Sequence, residues 1–281
     1  MDDRPIGVFD SGLGGLTVVR ALIDLLPDED FVYFGDTGRF PYGSKSPEVV
    51  RSHAMEITGL LIERGVKLVV VACNSAAAAG LEELRAVHQL PIAGVLEPAL
   101  RAAAKTTRTG CVGVIATEGT IASGAYERAA ARLPRRLALT CAACPGFVEF
   151  VEEGDVTSPA VHSLAERLLH PIRRAEVDTL ILGCTHYPLL ARTIADVMGR
   201  EVVLVSSGEE TAFEVRDALE AMGLRRRPPS PARPSRDSLS TDTAQIGKRT
   251  FLTSGDPRTF RRLGSRFLGP EVEQVESWKW S

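Results

Sequence analysis

The chain has 281 residues, with 33 Lys and Arg against 36 Asp and Glu, for a net charge of −3. That balance gives no reason to expect nucleic-acid or anionic-membrane binding. Hydrophobic residues at 44% and charged residues at 25% are ordinary soluble globular composition, in a chain of about two domains.

The longest apolar runs fall far short of the ~18–20 residues of a membrane span. The start, Met1-Asp2-Asp3-Arg4-Pro5, has neither the basic end nor the apolar core of a secretory signal, so a cytoplasmic protein is expected. Five cysteines, at 73, 111, 141, 144 and 184, are too few and too unevenly matched for a disulfide framework. Cys141 and Cys144 have C-x-x-C spacing, but no second pair completes a zinc site.

In chain order, runs rich in Val, Ile and Leu predict strands at Ile6–Phe9, Phe31–Phe34, Leu68–Ala72, Ile92–Val95, Val112–Ile115, Leu180–Leu182 and Val202–Val205. They lack alternating polarity, which predicts burial on both faces. Ser46-Pro47-Glu48 reads as an N-cap with Pro in the first turn of a helix that Gly65 ends. Thr120–Arg132 and Glu209–Ala221 read as further helices, the second after a Ser206/Ser207 cap. Beyond Gly223 the composition turns to Arg, Pro and Ser, and 225–247 reads as a flexible insert. Structure resumes with a strand at Arg249–Thr253, a helix at Thr259–Phe267 and a last strand at Val272–Glu276.

Strand–helix alternation predicts an α/β fold with parallel sheets. Ile6-Gly7-Val8-Phe9-Asp10-Ser11 resembles Val112-Gly113-Val114-Ile115-Ala116-Thr117, and Val69–Asn74 resembles Leu180–Thr185 in the same order. Two ordered matches imply two similar halves of flavodoxin-like or Rossmann-like type. The expected division is 1–97, completed by 208–224 and 248–281, against 98–207. Ligands of parallel sheets sit beyond the carboxyl ends of the strands. Cys73 and Cys184 both lie at such ends, so two thiols would flank one cleft between the halves.

The loop Asp10-Ser11-Gly12-Leu13-Gly14-Gly15-Leu16 follows the first strand, but Thr17 stands where a dinucleotide fingerprint needs Gly. Its expected role is an exposed Asp10 carboxylate for an ammonium group, beside glycines that admit a small ligand. Cys73 precedes a helix whose N-terminus would lower its pKa, with Asn74 and Ser75 as hydrogen-bonding neighbours. Cys184-Thr185-His186 adds an imidazole able to exchange protons with the second thiol. Two opposed thiols admit redox chemistry, a metal site with His186 and Asp10, or acid–base catalysis at a carbon between them. In the last case one thiolate removes a proton from one face and the other thiol delivers one to the opposite face, with no cofactor.

Asp10-Ser11-Gly12-x-Gly14-Gly15-Leu16, Pro41-Tyr42-Gly43, Cys73-Asn74-Ser75-Ala76, Glu152-Glu153-Gly154, Gly183-Cys184-Thr185-His186-Tyr187-Pro188 and Thr253-x-Gly255-Asp256-Pro257 together resemble the glutamate racemases, of the aspartate/glutamate racemase superfamily. The resemblance implies cofactor-independent interconversion of L- and D-glutamate, which supplies D-glutamate for bacterial peptidoglycan, by a homodimeric cytoplasmic enzyme. It implies that Cys73 deprotonates D-glutamate and Cys184 deprotonates L-glutamate, with Asp10 assisting the first and Glu152 and His186 the second. Ser11, Tyr42, Gly43, Asn74, Ser75, Thr185, Thr117 and Thr120 would hold the substrate, and no metal is implied. Glu149, Glu152 and Glu153 cannot be told apart without it. None of the five lysines falls in the cysteine motifs, where a pyridoxal Schiff base would have to form. Ser75 stands where many members have Thr; in some members an extension before the first strand is linked to activation by a cell-wall precursor, and that regulation is not expected here. The rival expectations are an aspartate or hydantoin racemase, or a non-catalytic metal- or redox-sensing thiol protein.

Overall fold

The structure, a computed structural model, describes residues 2–226 and 246–280. Among the described residues, ten strands form two wholly parallel sheets. The first sheet contains β1 (Ile6–Asp10), β2 (Phe31–Gly35), β3 (Leu68–Val71), β4 (Ile92–Gly94), β9 (Arg249–Thr253) and β10 (Val275–Ser277), in the order β10-β9-β2-β1-β3-β4. The second contains β5 (Cys111–Ala116), β6 (Ala138–Ala143), β7 (Thr179–Gly183) and β8 (Val203–Ser206), in the order β6-β5-β7-β8. Four of the six strands of the first sheet have counterparts: β2-β1-β3-β4 repeats as β6-β5-β7-β8. Ile6 pairs with Leu68, and the matching Val112 pairs with Thr179. The loose repeat in the sequence is therefore a repeated four-strand unit.

The run of small and β-branched residues explains the burial. β1, β2, β3, β4 and β7 are buried at every position, because helices cover both faces. The edge strands differ. β8 was expected to be fully buried, yet Val203 is half exposed. β6 has no counterpart among the expected strands: Ala-Leu-Thr-Cys-Ala-Ala lacks the β-branched signal, and its place on a sheet edge leaves it mostly half buried. The two faces of the second sheet serve two cores. Val112, Val114 and Ile181 join the core of the first half, while Ile115, Leu180 and Leu182 pack with Phe147, Val161, Leu169 and Ile172.

The Pro47–Glu63 helix is capped by Ser46, whose Oγ accepts from the Val49 N–H at 3.5 Å, and Gly65 follows its end at φ 74°. The expected helix at Thr120–Arg132 is broken into Glu118–Ala122 and Ala125–Ala130 at Gly124, which takes a left-handed φ of 65°. The Ser207–Ala221 helix starts at Ser206, but neither serine caps it with its side chain. The Ser207 hydroxyl instead donates to the Leu182 carbonyl at 3.1 Å. The last helix runs Pro257–Leu268, capped by Asp256, and the last strand starts at Val275, three residues later than expected.

The amino ends of the first sheet converge on a buried ion pair. Lys67 Nζ donates to Glu29 Oε2 at 2.6 Å, to the Asp2 carbonyl at 2.7 Å and to the Leu224 carbonyl at 2.9 Å, and both side chains are wholly buried. Arg226 N–H donates to the other Glu29 oxygen at 2.8 Å. The Gly247 and Lys248 N–H groups donate to Pro27 O and Asp30 Oδ1. Chain leaving at Arg226 and chain returning at Gly247 thus dock on the same Pro27–Asp30 turn.

Most of the insert expected at 225–247 lies outside the described residues. Because its flanks are anchored together, replacing 227–245 by a Gly/Ser linker a third as long is expected to preserve the fold. Loop-closure entropy favours the shorter form by about 1 kcal/mol, which urea unfolding would register. Among the described residues, no helix is long and apolar enough to cross a membrane.

Candidate active site

The carboxyl ends of β1, β3, β5 and β7 open on one cavity of about 120 Å³. Cys73 and Cys184 both line it. Cys73 lies just past β3 and is the N-cap of the Asn74–Val87 helix; Cys184 directly follows β7. Both are free thiols and both are buried. The register makes them equivalents in the repeated unit, so the two thiols reach the cavity from the two halves of the fold. Ser11, Tyr42, Gly43, Asn74, Ser75, Thr117, Thr185 and His186 also line it.

The two thiols have unlike neighbours. Cys73 Sγ lies 3.6 Å from Ser11 Oγ. Burial, followed by the charge of Asp10, pushes its thiol up to about 12, although N–H groups of Ala76 and Ser11 and the Ser11 hydroxyl pull the other way. The expected lowering by the helix N-terminus is thus overridden: the N–H groups are there, but desolvation of the charged form outweighs them. Cys73 rests as a thiol. Cys184 Sγ lies 3.8 Å from His186 Nδ1, and His186 Nε2 lies 2.8 Å from Glu152 Oε1. Burial opposes a charge on His186, but Cys184, Glu152 and Asp10 outweigh it and hold the imidazole up at about 10. A charged imidazole therefore bridges a carboxylate and the second thiol. Of the three neighbouring carboxylates, Glu152 is the one within hydrogen-bond distance of His186.

Asp10 differs from its expected role as an exposed carboxylate. It is wholly buried and does not line the cavity. Its Oδ2 accepts from the Gly12 N–H at 2.9 Å and its Oδ1 from the Thr185 hydroxyl at 3.3 Å. Burial raises its pKa, with His186 and these donors opposing. Asp10 thus ties the loop after β1 to the loop after β7.

The glycines of the loop serve the same joint. A Cβ on Gly14 would lie 2.3 Å from Thr185 Oγ1 and 2.5 Å from His186 Nδ1. Thr17, the residue that breaks the dinucleotide fingerprint, donates its hydroxyl to the Thr185 carbonyl at 3.1 Å. The motif is a seat for the Cys184 loop. Gly14→Ala is expected to displace His186 and to lower kcat by about 10²-fold, in a protein whose far-ultraviolet circular dichroism is unchanged.

Tyr42 is a second correction. Its ring lines the cavity, but its hydroxyl donates to Asp36 Oδ2. Burial and the Asp36 charge keep the phenol protonated. Asn74 Nδ2 donates to the Tyr126 hydroxyl at 3.1 Å, leaving the buried Oδ1 without a partner. Ser75, Thr117 and Thr120 form a triangle of hydroxyls with edges of 3.0, 3.2 and 3.0 Å. Thr120 is buried and reaches the cavity through the other two.

Sequence reasoning missed Phe40, Glu118, Cys144, Gly146 and Val148, which also line the cavity; of the three candidate carboxylates Glu149 lines it and Glu152 does not. Cys144 follows β6 much as Cys184 follows β7, so recognising β6 would have placed it. No Arg or Lys lines the cavity among the described residues.

Residues 6–212 match the family model described as Asp/Glu/Hydantoin racemase. The chain belongs to the Asp/Glu/hydantoin racemase family. Within this racemase family, it is 50% identical over 279 residues to the glutamate racemase of Beutenbergia cavernae, covering 98% of this chain and 93% of that protein. Among solved structures, a glutamate racemase isoform of Bacillus anthracis superposes with a TM-score of 0.89 at 37% identity, covering 100% of this chain and 98% of that one. The glutamate racemase of Francisella tularensis, in complex with D-glutamate, superposes with a TM-score of 0.87 at 31% identity, covering 99% and 98%.

Proposed function

We infer that this racemase interconverts L- and D-glutamate, and that it does so with two thiols and no cofactor. The product D-glutamate serves bacterial peptidoglycan synthesis. The relatives with which the chain aligns almost end to end carry the substrate; the placement of Cys73 and Cys184 at equivalent strand ends on one cavity carries the mechanism.

In that mechanism the two thiols take opposite parts. Cys73 holds a proton and is ready to deliver it. Cys184, beside the charged His186, takes the α-proton of L-glutamate, and His186 with Glu152 balances the charge as it moves. Removing a proton on one face and adding one on the other inverts the centre. In the reverse direction Cys73 is the base for D-glutamate, and Asp10, whose charge acts on Cys73, balances that side. The free Asn74 Oδ1 suits the substrate ammonium. The hydroxyls of Ser11, Ser75, Thr117 and Thr185, Thr120 behind them, and the backbone around Tyr42 and Gly43 suit the carboxylates. Among the described residues no Arg or Lys lies in this lining, and the charged group beside a thiol there is the His186 imidazolium, which can itself exchange a proton.

The reading includes a first domain of 1–97 with 208–224 and 248–281, a second of 98–207, and a cytoplasmic homodimer. Circular dichroism of purified protein with each enantiomer of glutamate tests it: rotation decaying to zero from both sides is expected. Turnover of aspartate or a hydantoin with none of glutamate would reassign the substrate.

A further inference from the structure

Trp280 is far along the chain from either thiol, yet its indole ends on the support of the cavity wall. That wall is Phe40–Ser44, every residue of which lines the cavity. The wall is held at two points. Toward the second half, the Gly43 carbonyl accepts from the Gly119 N–H at 3.1 Å, and Gly43 lies so near Thr117 that a Cβ would come within 2.8 Å of that side chain. Toward the first half, the Tyr42 hydroxyl donates to Asp36.

Asp36 is wholly buried at the end of β2 and is a shared acceptor. Arg39 Nε reaches its Oδ2 at 2.7 Å, and the Ser254 hydroxyl reaches its Oδ1 at 2.6 Å. Trp280 Nε1 completes the set at 3.3 Å from Oδ1. The same indole lies over the Arg39 guanidinium, 4.0 Å from ring centroid to Cζ, and meets Phe34 edge-on at 5.4 Å. The segment bearing it is fixed by β10 and by the Trp278 N–H, which donates to Thr253 O at 2.7 Å.

We propose that Trp280 is a positioning residue for substrate binding: by closing the Asp36–Arg39 cluster, it fixes the Tyr42–Gly43 wall against the Ser75 and Thr117 hydroxyls. The inference rests on the glutamate racemase reading above. The indole covers the buried Asp36 carboxylate and one face of the half-buried Arg39 guanidinium. Without it, water competes with the Tyr42 hydroxyl for Asp36, and the wall loses its fixed distance to the hydroxyls opposite. The thiols stand just past the carboxyl ends of β3 and β7, outside this cluster. The effect therefore falls on binding and not on proton transfer.

The test is steady-state kinetics of Trp280→Leu and Trp280→Phe with both enantiomers, with thermal unfolding recorded alongside. Trp280→Leu is expected to raise KM about fivefold for D- and L-glutamate with kcat within twofold, the pattern of lost binding that serves ground and transition states alike. Trp280→Phe keeps a ring over Arg39 but loses the N–H donor, and falls between. The chain has two tryptophans. In Trp278→Phe, Trp280 is therefore the sole tryptophan, and its fluorescence, excited at a wavelength that tyrosine does not absorb, is expected to shift with D-glutamate, half-maximally near KM. A lowered melting temperature with KM unchanged in either variant would make Trp280 merely structural and overturn the proposal, as would a fall in kcat alone or an emission blind to glutamate. If Trp280→Leu does not fold, the KM of Trp280→Phe decides. A wild-type protein that leaves both enantiomers unchanged would instead overturn the racemase reading beneath it.

Discussion

Cys73→Ala and Cys184→Ala are each expected to abolish racemisation, lowering kcat by about 10³-fold or more. Inversion needs a base on one face and an acid on the other, so one remaining thiol cannot turn over the substrate. Serine at either position is expected to be nearly as poor, because an alkoxide is much harder to generate than a thiolate. Both variants should fold, since Cys→Ala beside a cavity removes little buried volume. Deuterium oxide separates the mechanism from its rivals. Product formed by the wild type should gain deuterium at the α-carbon in the first turnover, while unreacted substrate gains little early on. Racemisation at near wild-type rate by either alanine variant would make that cysteine structural and end the opposed-thiol scheme.

Lys67→Met is expected to destabilise the protein by about 3–5 kcal/mol, because it strands the wholly buried Glu29 carboxylate without its cation. That is a large share of the ~5–15 kcal/mol by which domains are stable. The loss also frees the Asp2 and Leu224 carbonyls, which Lys67 gathers at the amino ends of the strands. Pairing it with Glu29→Gln should recover part of the loss, since no charge is then left buried alone. Urea unfolding of the single and double variants measures both effects. The cluster lies at the opposite ends of the strands from the cavity, so kcat/KM per folded molecule should hold. A single variant as stable as wild type would show that water reaches Glu29.

Much of this was legible because the two halves write the same pattern twice. Two apolar strands, Leu68–Val71 and Thr179–Gly183, each followed closely by a cysteine, mark buried parallel strands and their carboxyl ends, and the sheets bear that out. What escaped notice lay where tertiary contacts outweigh local signals. β6 is an edge strand of small residues and reads as nothing in particular. Gly124 splits a stretch whose composition is helical throughout. Asp10 reads as an exposed strand-end carboxylate until Gly12 and Thr185 are seen to enclose it. Glu152 is one of three carboxylates in a short helix, and only the fold brings it to His186. The glycines at 14 and 15 look like a ligand loop, whereas Gly14 is required by the side chains of Thr185 and His186. The helix N-terminus at Cys73 is present as the sequence predicts, but burial outweighs its effect on the thiol.

The repeated unit ends unequally. The last residue of β1 is Asp10, and its counterpart at the end of β5 is Ala116; the imidazole and its carboxylate stand beside Cys184 alone. For a reaction between mirror images, this inequality meets a strict thermodynamic limit. L- and D-glutamate have the same free energy in water, so the equilibrium constant is one, and kcat/KM must be identical in the two directions. No difference between the two thiols' surroundings can favour one enantiomer in that ratio. The asymmetry can appear only as offsetting changes: the direction with the larger kcat must carry the larger KM by the same factor. A substitution confined to one side, such as Glu152→Gln, must slow kcat/KM equally for both enantiomers, while shifting how each direction divides between binding and turnover.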